Sequence, residues 1–293
     1  MNSKINFHIH TTYSDGTKTV SEIVEAIKAL GLKWFSITDH DSVRGNIEAS
    51  KLAKKFGLNH ISGVELSCCF DGEAGFDETC VGHIVGLGID LAKMQIELLK
   101  IEEEKDRILH DLFCELVKDG YMLNYENVLT NGKIIERKSI SSELIRQKYA
   151  VNANDAYSSI LNTNKYRHFA KNIPSIKNGI EIIQNCGGIV IWAHPFGIAR
   201  GGKQEVSEEQ VLDLSKCMIK YGIDAIEVYY QLYNIEQIMF LEALATKLQL
   251  WKSIGTDYHG IDIREGLIFD KEGINMDESI IELIDKPQHP VRV

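Results

Sequence analysis

His8 and His10 stand two residues apart at the end of a short apolar run, Ile5-Asn-Phe-His-Ile-His10. In a strand, side chains at i and i+2 point to the same side, so both imidazoles can reach one metal ion. Asp15 and Gly16 follow. The same chemistry recurs downstream in Thr38-Asp-His-Asp41, Gly63-Val-Glu65, His83, Ala193-His-Pro195 and Gly255-Thr-Asp-Tyr-His259. A lone His-x-His is weak evidence of a metal site, but the ordered series is far more specific. Six of the ten histidines belong to it; His60, His110, His168 and His289 read as ordinary core or surface residues. With Asp15, Glu65 and Asp257 the candidate ligands are nine, too many for one ion and enough for two or three if some bridge. Imidazole mixed with carboxylate suits zinc, manganese or iron, not calcium or a thiolate metal. Such a group of cations would draw in phosphate.

These residues need a frame that brings distant segments together. Seven short apolar segments read as strands, at about 5–9, 34–38, 60–64, 81–87, 188–193, 224–228 and 250–255. Helical patterns separate most of them. Thr19-Val-Ser-Glu22 has the form of a capping box, and Ile23, Val24, Ile27 and Leu30 form an apolar stripe that Gly31 ends. Segments ending at Gly57, Gly187 and Gly222 repeat the pattern. Alternating strands and helices imply a parallel sheet with helices outside. The expected fold is α/β, a seven-stranded TIM-like barrel, in which the site lies at the carboxyl ends of the strands. His8, His10, Asp39, His40, Glu65, His194, Asp257 and His259 fall there. His83 is the exception, near the start of the fourth strand.

Residues 96–171 break the alternation. Ile101, Ile108, Leu109, Leu112, Phe113, Leu116 and Val117 recur at helical spacing before Gly120. Further helical segments are expected over 140–149 and 155–161. We read 96–171 as a helical insertion in a discontinuous barrel of 1–95 and 172–293. Within it, residues 133–171 carry eight Lys or Arg against three acids (Glu136, Glu143, Asp155), a local balance of +5. This is either a solvated helical face or a surface receiving an anion.

The whole chain of 293 residues has a net charge of −10, which argues against long nucleic acid as a partner. No apolar run of membrane-spanning length occurs. Met1–Ile5 carries no signal-peptide pattern, so a cytoplasmic location is expected. The six cysteines are scattered without Cys-x-x-Cys spacing and read as free thiols of a reducing compartment.

The motifs resemble the PHP (polymerase and histidinol phosphatase) superfamily of metal-dependent phosphoesterases. The matching residues are His8-Ile-His10 with Asp15, Thr38-Asp-His-Asp41, Glu65, His83, Ala193-His-Pro195 and Asp257-Tyr-His259. The resemblance implies a distorted seven-stranded barrel. It implies one metal held by His8, His10, Glu65 and Asp257, a second by Glu65, His83 and His194, and a third by Asp15, His40 and His259. The insertion resembles that of stand-alone members acting on nucleoside monophosphates, nucleotide 3′,5′-bisphosphates or short RNA ends. In that group the insertion carries Arg-Pro-His-Ile; here Arg137-Lys-Ser-Ile140 stands in its place, with Ser139 for the histidine.

The expected chemistry is hydrolysis of a phosphate ester. Water bridging such cations loses a proton near pH 7, and the resulting hydroxide would attack phosphorus in line. Arg137 and Arg200 are candidate phosphate grips. Asp39 and Asp41 are expected to orient His40. The leading substrate is nucleotide-sized. Histidinol phosphate is an alternative that the large insertion disfavours. A nuclease acting from a 5′ end would need an extended basic groove. A non-catalytic accessory module is disfavoured by the complete ligand series.

Overall fold

The computed structural model describes residues 4–130, 134–200, 206–260 and 266–284. Its strands are β1 (Ile5–Asn6), β2 (Trp34–Ile37), β3 (Asn59–Cys69), β4 (Cys80–Leu87), β5 (Leu129–Thr130), β6 (Ile134–Ile135), β7 (Ile189–Trp192), β8 (Ala199–Arg200), β9 (Ala225–Tyr230) and β10 (Trp251–Gly255). The main helices are α1 (Val20–Leu30), α2 (Gly45–Phe56), α3 (Leu91–Lys118), α4 (Tyr125–Val128), α5 (Arg137–Arg146), α6 (Ala153–Ala156), α7 (Ile176–Asn185), α8 (Glu208–Tyr221) and α9 (Ile235–Leu248).

The large sheet runs β1-β2-β3-β4-β7-β9-β10, with β8 paired to the start of β4. All seven expected strands are present. The two ends of the sheet approach each other: Phe7 donates its N–H to the Ile254 carbonyl, and His10 donates to that of Tyr258, both at 2.9 Å. Buried Asn6 reinforces this seam. Its amide donates to Thr256 Oγ1 and to the Leu267 carbonyl, while its oxygen accepts from the His8 N–H. The result is a nearly closed seven-strand barrel.

One strand departs from the all-parallel expectation. β4 is antiparallel to both neighbours, β3 and β7, because residues 70–79 join β3 to β4 without a crossover helix. A parallel neighbour would have required a crossover of a dozen residues or more. The helices follow their sequence signals closely. Thr19 and Glu22 complete the capping box of α1, a contribution of about 1 kcal/mol, and Gly31 closes the helix with φ 81°. Ser207 with Gln210, and Asn234 with Gln237, do the same at α8 and α9. α7 lies tight on the sheet at Gly179, where a Cβ would come within 2.4 Å of Cys68 Sγ.

The barrel's apolar core divides into two clusters, one around Trp192, Tyr229 and Phe70, the other around Phe35, Ile23 and Ile27. A third cluster is built wholly from residues 109–166, including Leu112, Leu144 and Leu161. α3 serves two of these cores. Met94 and Leu98 pack in the first barrel cluster, whereas Leu109, Leu112 and Leu116 pack in the third cluster. Beyond α3, residues 125–161 form the β5–β6 hairpin, α4–α6 and a π-turn over Tyr157–Leu161. Among the described residues, no helix is long and apolar enough to cross a membrane.

Candidate metal centre

Glu65 occupies the middle of the site. It is completely buried on β3, and five imidazoles surround its carboxylate. Oε1 lies 3.2 Å from His8 Nε2, 3.3 Å from His83 Nδ1 and 3.0 Å from His194 Nε2. Oε2 lies 3.1 Å from His10 Nε2 and 3.0 Å from His40 Nδ1. Asp257 Oδ1 faces His8 and His10 at 3.4 and 3.0 Å. Asp15 sits further out, 3.2 Å from His259 Nε2, and the His259 ring stacks on His10 at 4.2 Å. All nine candidate ligands of the sequence reading therefore converge on one rim.

The reversed direction of β4 explains His83. The amino end of an antiparallel strand shares a rim with the carboxyl ends of its neighbours, so His83 opposes Ser67 on β3 and lies beside Glu65. Backbone strain gathers at the same rim. His194 (φ 27°), Asp257 (φ 51°) and Asp41 (φ 46°) all adopt positive φ without being glycine. Such conformations cost on the order of 1–3 kcal/mol each and persist where surrounding contacts enforce them.

The donor set fits divalent metal. His8 Nε2, His10 Nε2, His40 Nδ1, Glu65 Oε2 and Asp257 Oδ1 are buried, yet none has a properly directed hydrogen bond. Buried polar atoms without partners are costly, so their convergence needs a ligand to explain it. Three groups have donor atoms within 4.8 Å of one another: His8, His10, Glu65 and Asp257; His10, Asp15, His40 and His259; and His40, Glu65 and His83. The first matches a set implied by the resemblance. The second contains the implied third set and adds His10. In the remaining group His40 takes the place expected for His194, whose Nε2 is nevertheless 3.3 Å from His83 Nδ1. No cysteine enters these groups.

The imidazoles and carboxylates of the cluster act on one another's charge. Burial pushes the Glu65 carboxyl up, but His8, His83, His10 and His194 outweigh it and hold it well below its usual range. Burial likewise lowers His8, and Glu65, Glu227 and Asp257 together carry it well up. His40 is pushed down by burial and carried to about 9 by Glu65, with help from Asp15 and Asp41. His83 moves down, because for it burial prevails over Glu65.

The hydrogen bonds of Asp39 go to the loop after His10. Asp39 accepts from the Thr11 N–H at 2.7 Å, from the Thr11 hydroxyl and from Ser14 Oγ, and so fixes the loop that carries Asp15. Asp41 accepts from the Ser67 N–H at 3.0 Å. Arg137 turns into the insertion, where Nη2 donates to the Leu161 carbonyl and to Asn162 Oδ1. Ser139 pairs with Thr130 Oγ1 at 2.9 Å. Arg200 enters β8, but its side chain lies outside the described residues. Four of the eight basic residues of 133–171 meet acids: Arg167 meets Asp77 and Glu78, Lys171 meets Asp71, Arg146 meets Glu143 and Lys165 meets Asp119.

Glu227 escaped the sequence reading. It is buried on β9, where its carboxyl group touches both His8 and the His194 backbone. Its signal was a single acid inside the apolar run Ala225-Ile-Glu-Val-Tyr-Tyr230. Beside the rim lies a cleft of about 320 Å³. Asp41 and Arg44 line one side, Leu98, Ile101 and Lys105 of α3 another, and Ile135 a third.

Residues 6–228 match the PHP domain family. This chain belongs to that family. It is similar to a 5′-3′ exoribonuclease of Haemophilus influenzae, 28% identical over 88% of this chain and 91% of that protein. It is also similar to a phosphoribosyl 1,2-cyclic phosphate 1,2-diphosphodiesterase of Eggerthella lenta, 26% identical over 87% and 94%. A solved structure of an amidohydrolase from Chromobacterium violaceum with bound sulfate shares the fold, with TM-score 0.64, 22% identity and coverage of 92% and 93%. The chain is a metal-dependent phosphoesterase, a hydrolase of phosphoric esters.

Proposed function

We propose that this enzyme hydrolyses a phosphate ester on a ribose-bearing, nucleotide-sized substrate such as a nucleoside monophosphate or 3′,5′-bisphosphate. Two or three manganese, zinc or iron ions would be held by His8, His10, Asp15, His40, Glu65, His83, His194, Asp257 and His259. The observation that carries the reading is the convergence of buried, unpartnered donor atoms on Glu65. Bound there, divalent ions supply Lewis acidity to phosphoryl oxygens and activate water. The chain itself does the positioning. Glu65 presents one oxygen to each side of the cluster. Asp39 holds the His10–Asp15 loop, and Tyr230 donates its hydroxyl to Asp257 Oδ2 at 3.1 Å, turning Oδ1 to the histidines.

The cleft supports a substrate larger than a bare phosphate. Its apolar wall of Leu98, Ile101 and Ile135 suits a base, and Arg44 and Lys105 suit an anion. The two relatives act, by name, on RNA and on a phosphoribosyl compound, and ribose phosphate is common to both. A short RNA 5′ end is the second reading, favoured by the exoribonuclease relative. The pairing of Arg146, Lys165, Arg167 and Lys171 with acids, half of the basic stretch, argues against a long tract. The scattered cysteines, with no Cys-x-x-Cys spacing, support a cytoplasmic location.

A phosphate-release screen with manganese tests this. It would cover mono- and bisphosphorylated nucleotides, 5′-phosphorylated oligoribonucleotides and histidinol phosphate. Turnover of a nucleotide is expected. Preference for histidinol phosphate, or no release from any ester with metal present, would overturn the reading.

A further inference from the structure

Glu227 makes two contacts from the floor of the site. Its Oε1 lies 2.9 Å from His8 Nδ1, and its Oε2 accepts the His194 N–H at 2.8 Å. The residue is 2% exposed, at the centre of a strand in which every residue is buried. A carboxyl group placed there is costly unless both oxygens have work.

Each contact settles one ligand. A carboxylate oxygen only accepts, so His8 carries a proton on Nδ1, and Nε2, which faces Glu65 and Asp257, is the atom that would bind a metal ion. The second contact restrains the His194 backbone, held at φ 27°, while its Nε2 faces Glu65 at 3.0 Å. His8 follows β1 and His194 follows β7, so one side chain on β9 fixes ligands from two other strands.

The barrel also keeps a seat open for this group. At Gly255 a Cβ would come within 2.1 Å of Glu227 Oε1 and 2.5 Å of His8 Cβ. Both distances are shorter than nonbonded atoms tolerate. Gly255 is therefore the opening through which β10 lets the carboxyl group reach His8. Its φ needs no glycine, so close approach is the reason for the residue.

We propose that Glu227, seated by Gly255, is a positioning residue for the metal centre: it sets the His8 tautomer and the His194 backbone together. The inference rests on the metal reading above. Partners of this kind typically contribute 10- to 100-fold in metal affinity.

The test measures zinc binding by calorimetry in the native protein, Glu227→Gln, Gly255→Ala and the surface control Asp213→Asn. The amide of Glu227→Gln can accept from only one of its two partners. Zinc affinity is expected to fall about 10- to 100-fold in Glu227→Gln and Gly255→Ala, and to be unchanged in Asp213→Asn. The native zinc-loaded protein supplies a measurement that depends on no variant. Its ¹⁵N-histidine spectrum should show His8 protonated on Nδ1. A proton on Nε2, or a folded Glu227→Gln that binds zinc as tightly as the native protein, overturns the inference while leaving the metal reading intact. A native protein that binds no zinc, manganese or iron overturns both.

Discussion

Glu65 Oε1 and His83 Nδ1 lie 3.3 Å apart on neighbouring strands that run in opposite directions. This relationship joins topology to chemistry. In an all-parallel barrel, a residue near the start of the fourth strand would face the opposite rim. The reversal of β4 brings His83 into the ligand cluster without lengthening any loop. It also leaves the Glu65 carboxylate with imidazoles on both oxygens, three facing Oε1 and two facing Oε2.

Metal should stabilise the fold as well as support turnover. The buried donors are held together without hydrogen bonds among five of their atoms, and ions would satisfy them. An ion at about 1,000 times its Kd adds roughly 4 kcal/mol. For a chain of this size that raises Tm on the order of 10 °C. Calorimetric scans with manganese or zinc, and with a chelator, check it. An unchanged Tm together with no bound metal by elemental analysis would contradict the assignment.

Asp257 separates charge from backbone. Its φ of 51° suits asparagine far better than alanine. Asp257→Asn and Asp257→Ala should both lose at least about 100-fold in kcat/KM, about 2.7 kcal/mol, because each removes a ligand charge. Asp257→Ala should also lose roughly 1 kcal/mol more stability. His8→Ala should abolish phosphate release with little change in circular dichroism. Near-normal turnover in any of the three at saturating metal would refute these roles.

The barrel and most of its rim were legible because alternation, helix caps and His/Asp spacing are local signals. His8, His10, Asp15 and Asp257 could be placed from strand ends alone. The direction of β4 was not legible, since an apolar run of eight residues reads the same either way. Glu227 was missed for a related reason: one acid within a buried strand declares nothing about which histidine it will face. The partners of Arg137 were not legible either: its type suggested phosphate, and its hydrogen bonds go to a backbone carbonyl and an asparagine at 161–162.

His60 should make the fold sensitive to mild acid. Its Nε2 is buried without a hydrogen-bond partner, its ring lies 5.1 Å from Phe35, and burial lowers its pKa to about 4. The unfolded chain, with an ordinary value of about 6.5, binds the proton first. Stability is therefore fully present above pH 6.5 and declines as pH falls from there towards 4, by up to about 3 kcal/mol. His60→Leu should lose less stability than the native protein between pH 7.5 and pH 4.5 in urea titrations. Identical losses in the two proteins would remove His60 as the cause.

Arg137 is expected to act on the insertion, not on substrate. Its Nη2 donates at 2.9 Å to the Leu161 carbonyl, at the end of the π-turn, and at 3.1 Å to Asn162 Oδ1. The guanidinium also lies over the Tyr157 ring at 5.6 Å. Arg137→Ala leaves the Leu161 carbonyl without this donor and should cost roughly 1–3 kcal/mol. The loss should appear as faster amide exchange through 140–161, the segment closed by that contact. Release of phosphate from a nucleotide and from p-nitrophenyl phosphate should then fall by similar factors, since both depend on the metal rim and neither on this arginine. A selective loss on the nucleotide, about 10-fold or more with unchanged amide exchange, would instead make Arg137 a phosphate grip and return the basic stretch to substrate recognition.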